Sequence, residues 1–324
     1  MAQEMTTSQR SFAVTGTARL TLRNVKGEID IQPGQAGQIE VTAVKHPGRG
    51  FDRTEIEMTQ AEDGSVTVAT RFEDDLVGRL LGLGGTDPCR VDYTVRMPAT
   101  GSALDVATVS GPARVAGLEG EFKLRAVSGP LHLEGLAGQL KVDVVSGSVT
   151  GAGLRLTQSL DVTTVSGDVT LTDSHLPGVE ANTVSGQLRL ATGSAPAQYR
   201  IKSVSGDAYL RLPTGTPCLV SLHTLSGRLR SDLPATRRDV RGGNETAEFG
   251  AGSEAGTAVR VKFNSVSGNL YLAAANGAGD AAANETPHMA EPTGPRTAAE
   301  RLALLEKVSR GELSVDDALG TLNQ

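Results

Sequence analysis

A serine recurs eight times in this chain within the same tripeptide, which raises the question of whether it is a repeated chemical site. The tripeptide Val-Ser-Gly, once replaced by Leu-Ser-Gly, begins at Val109, Val127, Val145, Val165, Val184, Val204, Leu225 and Val266. A serine hydroxyl acts as a nucleophile when a base activates it and a sharp G-x-S-x-G turn presents it. None of these serines has glycine at the required preceding position, and a nucleophile is needed once rather than once per repeat. The pattern therefore predicts a structural role for the serines.

Other side chains that could do chemistry are scattered along the chain. Metal-ligand spacing is absent among the five histidines, which are His46, His132, His175, His223 and His288. Asp168 and Asp207 follow two of the tripeptides, but they do not form the dense Asp and Gly repeat of calcium-binding β-rolls. The Gly82-Leu-Gly84-Gly85 segment lacks the third glycine and the acidic residue of a dinucleotide site, and the lysine of a P-loop. We therefore expect no enzyme activity, no cofactor and no metal site.

The composition of the 324-residue chain favours narrow layers of β-structure. Hydrophobic residues make up 38% and aromatic residues only 3%, and the 39 glycines follow no Gly-X-Y period. The net charge of −6 argues against nucleic-acid binding. Cys89 and Cys218 are too few for a disulfide framework, so we expect buried or simply reduced thiols. No signal-peptide pattern and no long apolar run is present, which predicts a cytoplasmic location, with the cell envelope as the alternative.

The spacing of the tripeptides is that of a repeat protein. Successive copies are separated by 18, 18, 20, 19, 20, 21 and then 41 residues. If the valine is position zero, positions −5, −3, +4 and +6 are mostly apolar, as in Leu160, Val162, Val169 and Leu171. Each pair alternates with period two, which predicts two strands with one buried face each and a corner between them. The sequence therefore predicts an all-β fold, a parallel β-solenoid (β-helix) of about 18–21 residues per coil, with coils stacked in sequence order.

Each residue of the tripeptide receives a predicted role at this corner. The valine and the glycine are expected to face inward, with glycine where the wall turns too tightly for a Cβ atom. The serine is expected to face outward or along the turn, where its hydroxyl can form a hydrogen bond locally or with the serine one coil away. Outward positions often carry opposite charges on neighbouring rungs, such as Arg125 and Asp143, and they predict solvated sheet faces rather than a binding stripe.

Four regions are expected along the chain. They are an N-terminal β region or cap, the regular solenoid, a disordered linker and a C-terminal α-helical hairpin, at residues 11–98, 99–273, 274–296 and 297–324. Val25-Lys26-Gly27 is a degenerate copy of the tripeptide that lies 84 residues, or four steps of 21, before Val109. Residues Arg237 to Gly256 fill the double-length step and are expected to form an outward loop.

Two apolar segments are candidate interaction sites. Residues 74–88 carry Leu80, Leu81 and Leu83 and are expected to cap the open end of the solenoid, with a contact to a partner or a membrane as the alternative. The hairpin begins at a Thr297–Glu300 capping box and is too small to bury its own apolar face. That face consists of Leu302, Leu305, Val308, Leu319 and Leu322. We expect a protein partner or self-association through the hairpin, and no binding of nucleic acid. A membrane contact is left open, but the sequence gives no support for it.

The repeats resemble those of a known bacterial family. The series VSGPARV, VSGPLHL, VSGSVT and VSGDVTL, which ends in VRVKFNSVSGNLYL, is similar to the β-strand-repeat family labelled "putative adhesin", a domain of unknown function. The similarity covers residues 12–273 and implies the β-repeat fold. The tail is similar to the helical hairpin that accompanies such domains in envelope-stress proteins of Gram-positive bacteria.

These observations predict a non-enzymatic scaffold or interaction protein. A rigid β-solenoid would carry a hairpin that recruits a partner, in an envelope-stress response if the resemblance of the tail extends to function. Two alternatives are a self-assembling, filament-like structural protein and a surface adhesin. The irregular ends of the repeat region disfavour open-ended stacking.

Overall fold

A computed structural model describes residues 4–72, 88–193, 196–241, 243–250 and 258–275. The chain forms two compact units, residues 1–150 and 151–324, which are described in turn. In the described residues the secondary structure consists of β-strands and one 3₁₀ turn, Phe51–Arg53, without an α-helix. The predicted all-β fold is confirmed. Residues 274–275 of the predicted linker belong to the last strand, whereas the rest of the linker and the C-terminal hairpin lie outside the described residues and stay predictions.

The strands of the first unit are short and separated by tight turns. In chain order they are β1 (Thr6–Ala13), β2 (Ala18–Lys26), β3 (Ile29–Gly34), β4 (Gln38–Lys45), β5 (Thr54–Gln60), β6 (Val66–Phe72), β7 (Val91–Pro98), β8 (Ser102–Ser110), β9 (Ala113–Ala116), β10 (Glu119–Ser128), β11 (Leu131–Glu134) and β12 (Ala137–Ser146), and β13 (Val149–Ala152) crosses the unit boundary.

The first unit is a parallel stack with antiparallel strands added to it. Sheet A has the order β1-β4-β7-β3-β9-β11, and sheet B has the order β5-β6-β2-β8-β10-β12. Each regular coil contributes one strand to each sheet, and coils are in register, so that Phe122 pairs with Leu104 on one side and Leu140 on the other. Strands β1, β4 and β5 run antiparallel to their neighbours. The arrangement is solenoid-like, as the repeat predicts.

The degenerate tripeptide at Val25 belongs to the coil beside the first regular copy. Strand β2 pairs directly with β8, with Lys26 in register with Ser110, and β3 pairs directly with β9. The spacing of 84 residues therefore contains one coil and inserted strands, rather than the four coils that an even period suggests.

The second unit repeats the same architecture. Its strands are β14 (Arg155–Leu156), β15 (Leu160–Thr164), β16 (Val169–Ser174), β17 (Gly178–Thr183), β18 (Leu188–Thr192), β19 (Gln198–Ser203), β20 (Ala208–Pro213), β21 (Cys218–Thr224), β22 (Leu229–Ser231), β23 (Ala235–Arg241), β24 (Asn244–Phe249), β25 (Val259–Ser265) and β26 (Leu270–Ala275). Sheet C has the order β16-β18-β20-β26-β22, and sheet D has the order β15-β17-β19-β25-β21-β24-β23.

The coils of the second unit do not stack in sequence order. Strands β25 and β26 insert between the coil of β19 and β20 and the coil of β21 and β22, parallel to both. The expectation of sequential stacking is therefore wrong at the last copy. An antiparallel hairpin of β23 and β24 occupies one edge of β21. Strand β25, which follows the hairpin in the chain, pairs with the opposite edge of β21.

The predicted loop at Arg237 to Gly256 is also wrong over most of its length. Its first part lies in the hairpin of β23 and β24, and residues 251–257 lie outside the described residues.

The positions predicted to face inward are buried in both units. At most 4% of the surface is exposed for Leu104, Val106, Phe122, Leu124, Leu140, Val142, Leu160, Val162, Val261 and Phe263 in the first strand of each coil, and for Ala113, Val115, Leu131, Leu133, Val169, Leu171, Leu188, Leu190, Leu270 and Leu272 in the second. Because alternate residues of a strand face opposite sides, each coil forms an apolar inner face. Burial of one Leu or Val side chain contributes about 1.5–3 kcal/mol.

The valine of the tripeptide has no constant orientation. Val109, Val127, Val145 and Leu225 are 45–51% exposed, so the inward orientation predicted for them is wrong. Inward alternation continues instead to position −1, where all eight residues are buried: Thr108, Ala126, Val144, Thr164, Thr183, Ser203, Thr224 and Ser265. Strands β8, β10 and β12 run through the valine and turn it outward, whereas β17, β19 and β25 end one residue earlier. The bend that follows these later strands returns Val184, Val204 and Val266 to the core.

The glycine of the tripeptide is required by backbone contact between coils. A Cβ atom on Gly129 would overlap the carbonyl oxygen of Gly111, and a Cβ atom on Gly206 would overlap that of Gly186. The same relation places Gly111 against Gly27, Gly147 against Gly129, Gly186 against Gly167, Gly268 against Gly206 and Gly227 against Gly268. These glycines form a column within each unit, the glycine column, in which no side chain fits.

We predict that Gly206→Ala lowers stability far more than Gly193→Ala. Neither glycine has a positive φ angle, but a Cβ atom on Gly206 meets the neighbouring coil and one on Gly193 meets no atom within 4 Å. Overpacking of this kind costs about 1–3 kcal/mol, whereas Gly193→Ala should be neutral or slightly stabilising. Thermal melting followed by circular dichroism measures the difference, and equal melting temperatures for the two variants would contradict the glycine column.

Candidate functional site

The tripeptide serines lie at the corners and stack from coil to coil. Ser110, Ser128 and Ser146 are backbone register partners in neighbouring coils of the first unit. In the second unit, the N–H group of Ser205 donates to the carbonyl oxygen of Val184 at 2.9 Å. The serines therefore stack through their backbone, and the predicted hydrogen bonding of their hydroxyl groups stays a prediction.

At three corners of the second unit, the residue before the tripeptide caps the N–H group of the glycine with its side chain. The Oγ atom of Ser203 accepts a 2.6 Å hydrogen bond from the N–H group of Gly206, and Ser265 accepts one of 2.7 Å from Gly268. Position −1 is serine or threonine in six of the eight copies, a regularity that the reading of the sequence missed because the residue also fits the apolar alternation. Where the cap forms, the buried hydroxyl replaces the water that the glycine N–H group loses, whereas the hydroxyl groups of Thr108, Thr164 and Thr183 have no hydrogen-bond partner among the described residues.

Aspartates that follow the tripeptide accept hydrogen bonds from the backbone of the neighbouring coil. Asp168 accepts a 2.8 Å hydrogen bond from the N–H group of Gln187, and Asp207 accepts one of 2.7 Å from that of Asn269. Both carboxylates therefore provide hydrogen-bond acceptors for backbone N–H groups at the corners. Within the described parts of the chain, no three His, Cys, Asp or Glu side chains are grouped to hold a metal ion.

One carboxylate in the first unit joins three strand ends. Asp92 lies 2.7 Å from Nε2 of His46 and accepts 2.8 Å hydrogen bonds from Nε of Arg90 and the N–H group of Glu28. Burial by itself would raise the pKa of Asp92, but hydrogen bonds from Arg90, Glu28 and His46 outweigh it and lower the pKa. The group ties β3, β4 and β7 together.

The outer face of sheet B carries an ion-pair triplet. Asp105 accepts hydrogen bonds of 2.9 Å from both Nη atoms of Arg23 and of 2.9 and 3.0 Å from Nη2 of Arg125. The hydrogen bond from Arg23 is the largest of the effects that lower the pKa of Asp105 to about 2. Arg125 and Asp143 are register partners as expected, but the guanidinium group binds Asp105.

An Arg-Tyr-Tyr-Arg row crosses the outer face of sheet C. The rings of Tyr209 and Tyr271 stack with centroids 4.5 Å apart and planes 5° apart. Arg189 lies 5.3 Å from the first ring and Arg230 lies 5.7 Å from the second. Since both outer ring faces are covered by guanidinium groups, the row stabilises four neighbouring strands and leaves no ring face for a ligand.

Both cysteines are free and buried, as expected. Burial raises the pKa of Cys218 to about 12, so its thiol stays protonated and unreactive at neutral pH.

The apolar residues nominated from the sequence lie outside the described residues. They are Leu80, Leu81, Leu83, Leu302, Leu305, Val308, Leu319 and Leu322, and their role in binding stays a prediction. In the part of the chain that the structure describes, no helix has the length and hydropathy to cross a bilayer.

A recess on the outer face of sheet D is the candidate site. It has a volume of about 340 Å³ and is lined by the neighbouring strands β19, β25 and β21. We call it the basic groove, and its outward side chains are Gln198, Arg200, Leu219, Ser221, Arg260 and Lys262. The alternation of the three strands places them there, because Tyr199, Val220 and Val261 between them are buried.

The register brings like charges together in the basic groove. Arg200 lies directly opposite Lys262, and Gln198 lies opposite Arg260. Lys262 in turn pairs with Ser221, and Arg260 pairs with Leu219. Like charges directly opposite one another destabilise a sheet.

Among the described residues no carboxylate lies within ion-pair distance of Arg200 or Lys262, although Glu180 on β17 is in register with Arg200. Arg200 contacts the amide oxygen of Gln198 at 3.5 Å, and neither Arg200 nor Lys262 forms an ion pair among the described residues. The site could not be predicted from the sequence, because Arg200 and Lys262 become neighbours only through the insertion of β25 beside β19.

Comparisons with known proteins concern the whole β region. A family model described as Toastrack DUF4097 matches residues 17–273. Similar solved structures include a "putative cell adhesion protein" from Clostridium sporogenes, at 10% identity and a TM-score of 0.29 over 84% of this chain and 100% of that chain. A "putative lipid binding protein" from Parabacteroides distasonis has 10% identity and a TM-score of 0.42 over 83% and 97%. A "putative adhesin" from Bacteroides fragilis has 10% identity and a TM-score of 0.41 over 84% and 98%. No curated protein matches the chain.

We predict that Ser203→Ala destabilises the protein and that Ser205→Ala does not. The first substitution leaves the buried N–H group of Gly206 without its acceptor, which costs about 1–3 kcal/mol. Ser205 is exposed, so the same substitution two residues later should change the free energy of unfolding by less than about 0.5 kcal/mol. Thermal or urea unfolding measures both. A larger loss for Ser205→Ala would show that the tripeptide serine, not position −1, supports the corner.

Proposed function

Because the chain belongs to the Toastrack DUF4097 family, which has no assigned function, we propose its role from its own surface. We propose that the protein is a non-enzymatic binding scaffold whose β framework presents the basic groove to an anionic partner. The observation that carries this proposal is that Arg200, Arg260 and Lys262 line one recess, with Arg200 and Lys262 directly opposite one another across β19 and β25. An anion bound between these cations would remove a repulsion that the fold otherwise retains.

The framework supports a binding role through its rigidity. The strands under the groove are held in register by the column of Gly206, Gly268 and Gly227 and by the hydroxyl groups at position −1. Basic side chains on such a fixed sheet are spaced before the partner arrives, which lowers the entropic cost of binding. The chain as a whole carries a net charge of −6, so the groove is a local positive patch that selects where an anion binds.

The C-terminal residues 297–324 supply a separate contact in this proposal. The predicted helical hairpin would recruit a protein partner or a second copy through Leu302, Leu305 and Val308. A place in an envelope-stress response rests on the resemblance of this tail alone. A cytoplasmic location stays a prediction, with the cell envelope as the alternative.

The filament-like alternative is disfavoured by the strands at the ends of the sheets. Antiparallel strands β1 and β5 end the sheets of the first unit, and the hairpin of β23 and β24 ends sheet D, whereas sheet C ends in the three-residue strand β22, which is paired in parallel. The antiparallel strands do not offer the parallel pairing that coil-on-coil growth requires. The adhesin alternative belongs to the same class as our proposal, with an anionic surface as the partner.

We predict that anions stabilise the full chain through the basic groove. Citrate, sulfate and phosphate should raise Tm over chloride at equal ionic strength, because a ligand of the native state adds its binding free energy to stability. These anions also stabilise proteins generally, so the informative quantity is the difference between two variants. The double variant Arg200→Gln/Lys262→Gln should lose part of the rise, and Lys123→Gln/Lys141→Gln should keep it.

The second variant is a matched control for the first. Lys123 and Lys141 are also opposite one another on the outer face of a parallel sheet, and their replacement removes the same formal charge outside the groove. An equal anion effect in the two variants would overturn the proposed function.

We predict that deletion of residues 297–324 removes a partner without unfolding the β region. The Tm should fall by no more than a few degrees, because every described strand is retained, and a pull-down or light scattering should show the loss of a partner or of self-association. If the truncated chain keeps both, the tail is not the recruiting element. A large fall in Tm would mean that the tail instead caps the β region.

A further inference from the structure

We infer that the basic groove binds the phosphate group of a phosphate ester, an inference that rests on the proposed function and names its ligand. Arg200, Arg260 and Lys262 would contact the phosphate oxygens, and Leu219 would contact the organic part of the ester. All four side chains line the same recess on sheet D.

The spacing of the three cations suits one compact anion. Arg200 and Lys262 lie on adjacent strands in direct register, about 4.8 Å apart at the backbone. Arg260 is two residues before Lys262 on the same strand, about 6.6 Å away. Side chains of this length are long enough to reach a single centre from the corners of so small a triangle. Two of them are arginines, whose planar forks bind phosphate oxygens in pairs.

The number of donors favours phosphate over a single carboxylate. Gln198 and Ser221 add an amide and a hydroxyl group beside the three cations. A phosphate monoester brings three terminal oxygens and nearly two negative charges at neutral pH. One carboxylate brings two oxygens and one charge, and would leave part of this donor set without an acceptor.

Acidic side chains at both sides limit the length of the ligand. Glu180 on β17 is in register with Arg200, and Glu248 on β24 is in register with Leu219. A polyanion that extended across the strands in either direction would meet a carboxylate, so the charge of the ligand must be confined to the groove. A volume of about 340 Å³ is at the small end of ligand sites.

The apolar wall distinguishes an ester from inorganic phosphate. Leu219 is half-buried beside Arg260 and offers no hydrogen bond to an oxygen. It is placed to contact the carbon atoms of the alcohol that carries the phosphate. Both a soluble metabolite and a phospholipid headgroup contain this chemistry.

Calorimetric titration of the full chain with glycerol 3-phosphate and with succinate tests the assignment. Both probes are small dianions, so equal ionic strength leaves the phosphate group as the main difference. We expect glycerol 3-phosphate to bind at least about tenfold more tightly than succinate. The affinity for glycerol 3-phosphate should fall about tenfold or more in Arg200→Gln/Lys262→Gln and should be retained in Lys123→Gln/Lys141→Gln. The Tm of each variant without ligand establishes that it is folded.

Sedimentation with vesicles separates the two sources of the phosphate group. Phosphatidylcholine vesicles with and without phosphatidic acid present the same group on a membrane. Groove-dependent binding to phosphatidic acid vesicles supports a lipid headgroup, and groove-dependent binding of glycerol 3-phosphate without vesicle binding supports a soluble ester. Equal affinity for succinate and glycerol 3-phosphate would overturn the phosphate assignment, while the citrate result above would still support an anion-binding groove. Binding that ignores the groove substitutions would overturn both.

Discussion

Backbone-to-backbone contact at the tripeptide glycine is the constraint on which the other features of the fold depend. The α-carbon of each glycine lies against the carbonyl oxygen of a glycine in the next coil, as Gly129 does against Gly111. This contact sets the register of the strands on both sides of the corner, and the register aligns the inward positions into continuous apolar rows. A single coil cannot bury such a row alone, so each coil is stable only with its neighbours. At corners of the second unit, the hydroxyl groups of Ser203, Thr224 and Ser265 and the carboxylates of Asp168 and Asp207 accept hydrogen bonds from backbone N–H groups.

The same register organises the outer surface. Residues at one repeat position line up across the strands, so a charge or a ring on one coil has fixed neighbours on the next. Most rows use this to stabilise the sheet, as Asp105 does between two arginines and Tyr209 does against Tyr271. Arg200 and Lys262 instead place like charges together, as Lys123 and Lys141 do, but they share a recess with a third cation, Arg260. An anion that bound among these three cations would stabilise the fold.

The predictions that succeeded from sequence rest on local periodicity. Positions such as Leu160 and Val162 are inward because a strand alternates with period two, and this needs no knowledge of the neighbouring coil. The orientation of the valine could not be predicted in the same way. The valine faces outward where the strand continues through the tripeptide, as β8 does, and is buried after β17, β19 and β25, which end before it, but Leu225 is exposed although β21 ends at Thr224. The hydroxyl groups at position −1 were visible in the sequence, but their role emerges only when Ser203 is seen to cap the N–H group of Gly206.

By itself the sequence determined the period, the two strands of each coil, their inward positions and the need for glycine at the corner. All of these arise within about 20 residues, from alternation and from the steric freedom of glycine. Only the tertiary structure decided which coils are neighbours. The hairpin of β23 and β24 occupies one edge of β21, so β25 pairs on the other edge, next to β19. Any free parallel edge can accept a strand of this repeat, so the period of the sequence could not specify which coils are neighbours. For the same reason it could not predict that Arg200 and Lys262 lie in one groove.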